Sequence, residues 1–306
     1  MTNFTLNNHL TYSIGGRTYG HRETPIEKFK VALGPVDPYI FNNSSYEQEL
    51  RRTADTVYKE FGKEFIVLLS GGTDSEIVVN NFLSIGIKPR CVALKFKNDY
   101  NKDDINEAIR ISKDLDIKLD VVEFDIEDFF YSGEAKEFGE QIQCTQITYN
   151  MCYYNIMKLS LPAIMGGESL LTRQIEKDYS YWYYTFRENE DASAIRFSNK
   201  FNIPLVNEWF SYTPELLLYY LEDPDIVNLV SEKLNLKLTS VSSKNRILKK
   251  LCPYIIEKTK THGFENLLAF NYTAYKDCGT DLIKRLEHSL DGIAYVDAIS
   301  QLRAQL

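Results

Sequence analysis

Paired cysteines are missing from this chain. Its five cysteines, Cys91, Cys144, Cys152, Cys252 and Cys278, are an odd number, and none forms C-x-x-C. That usage gives no support to a cysteine-cluster zinc site and fits a reduced, cytoplasmic setting. Histidine is scarce, at four residues. His9, His21, His262 and His288 read as surface or core side chains, and the chemistry considered below needs neither a Ser-His-Asp nor a metalloprotease arrangement. No apolar run approaches the roughly 18 residues of a membrane span, so no membrane partner is expected. The start, Met1 to Thr5, lacks the charged end and apolar core of a secretory leader. Positive charge is in the minority. The net charge of −8 weighs against broad nucleic-acid binding, although a local basic patch, and with it tRNA, stays open. Internal repeats and low-complexity linkers are absent as well.

What is present is ordinary for a soluble globular protein: 44% hydrophobic and 25% charged residues over 306 positions, enough for one large domain or two smaller ones. One stretch stands out. Phe65-Ile66-Val67-Leu68-Leu69 is an unbroken apolar run that predicts a short strand buried on both faces. Ser70-Gly71-Gly72-Thr73-Asp74-Ser75 follows as a tight loop, then an apolar helix from Glu76 to about Ile85, with Gly86 placed to stop it. Strand, glycine turn and helix start form an anion cradle. The first backbone N–H groups of a helix have no partner within it, and the dipole adds partial positive charge. Gly71 and Gly72 permit close backbone approach, and the Ser70 and Ser75 hydroxyls can donate to phosphate oxygens. Asp74 beside phosphate makes sense with a divalent cation between them, or as a brace of the loop. The loop is neither a Walker A motif, since no Lys follows the glycines, nor a dinucleotide fingerprint, since G-x-G-x-x-G is absent.

Around this stretch the pattern alternates. Ser13 to Gly20 reads as a hairpin or turn, and Gly34-Pro35-Val36-Asp37-Pro38 as a rigid connector. Ser45 caps a helix to about Phe61, with Gln48 completing a capping box. Arg90–Phe96 and Leu119–Phe124 predict a second and a third strand, joined by a helix from Asp103 or Asp104 to Leu115. Residues 140–160 predict one helix. Leu161 to Met165 predicts a fourth strand ending in Gly166-Gly167-Glu168, at the edge where open α/β sheets bind ligands, which makes Glu168 a candidate pocket carboxylate. The aromatic run Tyr179 to Tyr184, after the mixed-charge segment Arg173 to Asp178, predicts a helix on the core, with a lid as the other reading. Ile203 to Val206 predicts a fifth strand, and Thr213 with Pro214 the cap and first position of a helix. From there to Leu306 the pattern is mostly helical. The fold expected is therefore α/β, a parallel five-stranded sheet sandwiched by helices. Residues 1–60 read as an N-terminal extension, 61–210 as the α/β unit and 211–306 as a helical C-terminal region.

The hexapeptide Ser70–Ser75 matches the S-G-G-x-D-S signature of the PP-loop ATP pyrophosphatases, and the stretch from Phe65 to Val206 resembles the N-type members. The likeness is greatest to the synthetase domain of asparagine synthetase, with 7-cyano-7-deazaguanine synthase second. The resemblance implies a HUP-type, adenine nucleotide alpha hydrolase-like fold, ATP and Mg²⁺ as cofactors, and adenylation that splits ATP into AMP and pyrophosphate. It implies that Ser70, Gly71, Gly72, Thr73, Asp74 and Ser75 hold the pyrophosphate, with Asp74 near Mg²⁺. It places adenine at the second-strand tip, Leu94, Lys95 and Phe96, partly through backbone. Gly166, Gly167 and Glu168 would follow the fourth strand into the pocket, and Lys244 with Arg246 would supply a phosphate-facing cation. The expected substrate is a small molecule with a carboxylate or amide, attacked after activation by an amine or ammonia. Nucleobase or tRNA modification, sulfur transfer, and a nucleotide-binding partner protein without turnover stay open. Two departures matter. Thr2 stands where the common asparagine synthetases carry a glutaminase Cys, so ammonia would come from a separate donor. The cysteine-based zinc site of the deazaguanine synthase is not found. A homodimer is compatible with the resemblance.

Overall fold

A three-residue strand, β4 (Ile66–Leu68), lies at the centre of the protein, and its side chains divide between two cores. Ile66 and Leu68 face one hydrophobic cluster and Val67 and Leu69 the other, as the period-two alternation of a strand requires. Both faces are buried, which is why the run has no polar break. The structure is a computed structural model that describes residues 9–24, 26–167, 171–176, 179–188, 191–222, 252 and 293–296.

The described residues begin with β1 (Leu10–Ile14), β2 (Arg17–Thr18) and β3 (Phe29–Leu33), an antiparallel sheet in the order β2-β1-β3. The expected hairpin is its first turn, at Gly15 and Gly16. Helices α1 (Pro38–Asn43) and α2 (Tyr46–Phe61) follow. Ser45 and Gln48 form the capping box read from the sequence. Leu50, Ala54 and Val57 of α2 share a core with Val67 and Leu69, so α2 is one of the helices that cover the central sheet.

After β4 come α3 (Thr73–Ser84), β5 (Arg90–Phe96), α4 (Lys102–Asp114) and β6 (Leu119–Phe124). Both strand ranges match expectation. Helix α3 starts three residues before Glu76, inside the loop motif. Three short helices then run along the opposite face: α5 (Ile126–Tyr131), α6 (Glu134–Ile142) and α7 (Ile147–Leu159). The single helix expected over 140–160 is thus two. Gln143 takes a left-handed φ of 48° and ends α6, and the Asn150 side chain donates to the Cys144 carbonyl inside the break, at 3.1 Å. Strand β7 (Ala163–Ile164) pairs with β4 on the side away from β5.

The aromatic run is not a helix. It is β9 (Tyr179–Arg187), antiparallel to β8 (Leu171–Glu176). Tyr, Trp, Thr and Phe are strand formers, and this preference prevails over the helical reading. Helix α8 (Asp191–Phe201) leads to β10 (Leu205–Val206), the fifth parallel strand, and then to α9 (Pro214–Glu222). Thr213 caps α9 by accepting from the Leu216 N–H at 3.1 Å. Of the helical C-terminal reading, α9 and Cys252 are described, and β11 (Ile293–Val296) is a strand paired with β9.

The central sheet has the order β10-β7-β4-β5-β6, all parallel. From β4 the chain moves outward to β5 and β6, then returns to the other side of β4 for β7 and β10. The direction of winding therefore reverses between β4 and β7, and the carboxyl ends of those strands flank a topological switch point, where open α/β sheets bind ligands. Among the described residues no helix is long and apolar enough to cross a membrane.

Candidate active site

The loop that leaves β4 opens directly at this switch point. Gly71 has φ of +76°, and a Cβ on it would lie 2.4 Å from the Asp104 carbonyl oxygen of α4. Glycine is required there by both dihedral and space. Gly72 is the cap residue of α3 and makes no side-chain cap, so the positive end of the helix dipole lies at the loop. The two serines brace the loop. Ser75 is buried, and its Oγ donates to the Gly72 carbonyl at 3.0 Å and accepts from the Ser70 N–H at 3.3 Å. The two hydroxyl oxygens are 3.3 Å apart, and the Gly72 N–H points at Ser70 Oγ from 3.4 Å. Ser70 is exposed, Thr73 is buried and Asp74 is half-buried. The hydroxyl of Ser75, expected to face phosphate, therefore faces the loop's own backbone, and Ser70 is the hydroxyl that solvent reaches.

Gly166 joins this group. A Cβ on it would sit 2.8 Å from Asp74 Cβ and 3.2 Å from the Ser75 nitrogen. The end of β7 thus lies against the first turn of α3. Gly167, with φ of +61°, backs onto the end of β10, where a Cβ would be 1.9 Å from the Asn207 carbonyl oxygen. The Trp209 N–H donates to the Gly166 carbonyl at 3.2 Å. Three strand ends, from β4, β7 and β10, are held together by these glycines. Asn207 and Glu208, both buried, stand there too. Sequence reading did not single them out, although a polar pair directly after the apolar strand Ile203 to Val206 is a signal of a strand end at the ligand edge.

At the tip of β5 the structure is more specific than the sequence. The Asn101 side chain accepts from the Phe96 N–H at 2.8 Å and donates to the Leu94 carbonyl at 2.7 Å. Two backbone groups of the strand tip expected to meet adenine are therefore held by one carboxamide. Lys95 pairs with Asp99 at 3.0 Å, and that hydrogen bond raises the ammonium above its ordinary range. Glu168, Lys244 and Arg246 lie outside the described residues. Among the described residues, no cluster of three His, Cys, Asp or Glu side chains could hold a metal. Asp74 offers a carboxylate within the loop motif, a hard oxygen donor of the kind Mg²⁺ takes together with substrate phosphates.

Strand order and loop position together define a doubly wound α/β fold with a glycine loop at its switch point. No protein-family model and no curated protein matches the chain. Solved structures do. An NMN synthetase from Francisella tularensis is 12% identical with a TM-score of 0.32, over 71% of this chain and 98% of that one. A predicted subunit of tRNA methyltransferase from Methanocaldococcus jannaschii is 16% identical with a TM-score of 0.32, over 65% and 94%. A glutamine-dependent NAD⁺ synthetase from Acinetobacter baumannii, in complex with adenosine diphosphate, is 12% identical with a TM-score of 0.31, over 89% of this chain and 51% of that one.

Proposed function

We propose that this chain is an ATP-dependent adenylating enzyme. A carboxylate or amide oxygen of a small substrate attacks the α-phosphorus of ATP, and the bond to the bridging oxygen breaks. Pyrophosphate departs with that electron pair. An amine or ammonia then attacks the activated carbon and displaces AMP, forming a C–N bond. The supporting observation is the uncapped start of α3 behind Ser70–Ser75, at the switch point of the sheet and packed on Gly166. Fixed N–H dipoles aimed where the diphosphate's negative charge accumulates lower the barrier without rearranging during the reaction.

The roles divide by position. Gly71, Gly72 and Thr73 offer backbone to the diphosphate, Ser70 a hydroxyl, and Ser75 holds the loop's shape from beneath. Asp74 would hold Mg²⁺, which when bound neutralises phosphate charge. Gly166 and Gly167 keep the β7 end low enough to leave the loop accessible. Glu168 and Lys244 keep their proposed roles of pocket carboxylate and phosphate-facing cation.

The experiment is incubation with ATP, Mg²⁺ and panels of carboxylic acids and amines, read by AMP and pyrophosphate formation. AMP and pyrophosphate in equal amounts are expected, and Asp74→Asn should reduce their formation about 100-fold or more. ADP and phosphate as the products would overturn the proposal.

A further inference from the structure

Asn101 occupies an unusual place. It is the residue before α4, where an asparagine ordinarily caps the helix through its side chain. Here it makes no such cap. The side chain turns the other way, is 7% exposed, and lies along β5. The groups it binds are on a definite edge of that strand. Cys91 donates to Lys118, toward β6, while the Val92 carbonyl accepts from Leu69, toward β4. Alternation along the strand then puts Leu94 and Phe96 on the β4 side with Val92. The Leu69 to Val92 bond, at 2.8 Å, is the last rung of that ladder, because β4 turns into the Ser70–Ser75 loop one residue later. Beyond it, β5 directs the Leu94 carbonyl and the Phe96 N–H past the end of β4, and Asn101 fills them.

A carboxamide offers an acceptor next to an amino donor. The amidine edge of adenine offers the same pair in its ring nitrogen and exocyclic amine. Both satisfy a strand carbonyl and the N–H two residues on. The approach to Asn101 is irregular: Asn98 and Asp99 have φ of 64° and 55°, left-handed values that non-glycine residues adopt at a cost.

We propose that Asn101 is a gate for the base. Its carboxamide stands in for the base edge on Leu94 and Phe96, and must swing away before a nucleotide can pair there. The inference rests on the adenylating reading above and adds to it the residue against which the base competes. The base-binding affinity is then set by the difference between two similar pairs of hydrogen bonds. A ligand without a base does not meet the gate.

The test uses the full chain with Mg²⁺ and measures dissociation constants for ATP and for inorganic pyrophosphate by calorimetry. Asn101→Ala should bind ATP about tenfold tighter than the native protein, with pyrophosphate affinity unchanged. In the native protein, the side-chain amide signals of Asn101 in a nitrogen-15 spectrum should move on saturation with ATP and stay in place with pyrophosphate. That second measurement decides the matter if Asn101→Ala does not fold. Unchanged or weaker ATP binding by the folded variant, or an unmoved Asn101 signal at saturating ATP, overturns the gate while pyrophosphate binding leaves the loop's role standing. If the native protein binds neither ligand, the adenylating reading fails and the gate with it.

Discussion

His9 shows how one buried side chain sets a pH response. Its Nε2 lies 2.9 Å from the Ser211 carbonyl. A carbonyl can only accept, so Nε2 carries the proton and Nδ1 is bare. Burial pushes the imidazole down to about 4. The native state therefore keeps His9 neutral while the unfolded chain protonates it below about pH 6.5. Stability falls as pH drops from about 6.5 toward 4, since the unfolded state binds the extra proton. His9→Gln should remove this component: between pH 7 and 5 the native protein should lose about 2 kcal/mol more than the variant, measured by urea denaturation at each pH. At this scale the sequence was informative about residues inside a motif and silent about others. Ser70–Ser75 could be read because glycines, hydroxyls and a carboxylate in that order have one economical explanation. Asn101 could not, because an asparagine before a helix reads as a cap and only the fold reveals where its carboxamide turns.

Among elements, the junction of β7 with its neighbours carries the sharpest contrast. Gly166 and Gly167 are adjacent, yet substitution of each should fail differently. Gly167→Ala forces a left-handed φ and drives a methyl group onto the Asn207 carbonyl. It should cost at least about 2 kcal/mol of stability, seen in denaturant titration. A Cβ on Gly166 meets Asp74 and the Ser75 nitrogen instead, so Gly166→Ala should shift the first turn of α3. It should cost less stability than Gly167→Ala, because no left-handed φ is forced, while pyrophosphate release falls about 100-fold. Elements with a strong period were legible. The strands β5 and β6 and the capped helix α2 are legible at their true ends, because the mostly buried apolar run of β5, the β-branched and aromatic residues of β6 and the capping box of α2 leave marks in the sequence. Helices α5 and α8 were not foreseen. The break between α6 and α7 carries no glycine or proline at Gln143, and the aromatics of β9 read as a packed helix before they read as a pleated strand.

Across the whole molecule, the N-terminal sheet is tied to the end of β9 and the residues that follow it. The rings of Phe29 and Phe186 stack with centroids 5.9 Å apart. Behind them Glu188 lies between two guanidinium groups, Arg22 at 2.6 Å and Arg196 at 3.6 Å, with all three side chains at most 6% exposed. Removing the shared carboxylate strands two buried cations. Glu188→Gln should therefore lose about 3–5 kcal/mol, whereas Arg22→Met, which leaves one carboxylate facing one guanidinium, should lose clearly less in the same urea titrations. The parallel sheet was readable from alternating strands and helices, but this cluster unites residues 166 positions apart and leaves no local trace. Gly71 has a further consequence. Its α-carbon is so near the Asp104 carbonyl that a methyl group would not fit between them, so the loop and the first turn of α4 slide on one another without slack. A bulkier residue at position 71 would have to lever the loop off the start of α4, so the two segments can be remodelled only together.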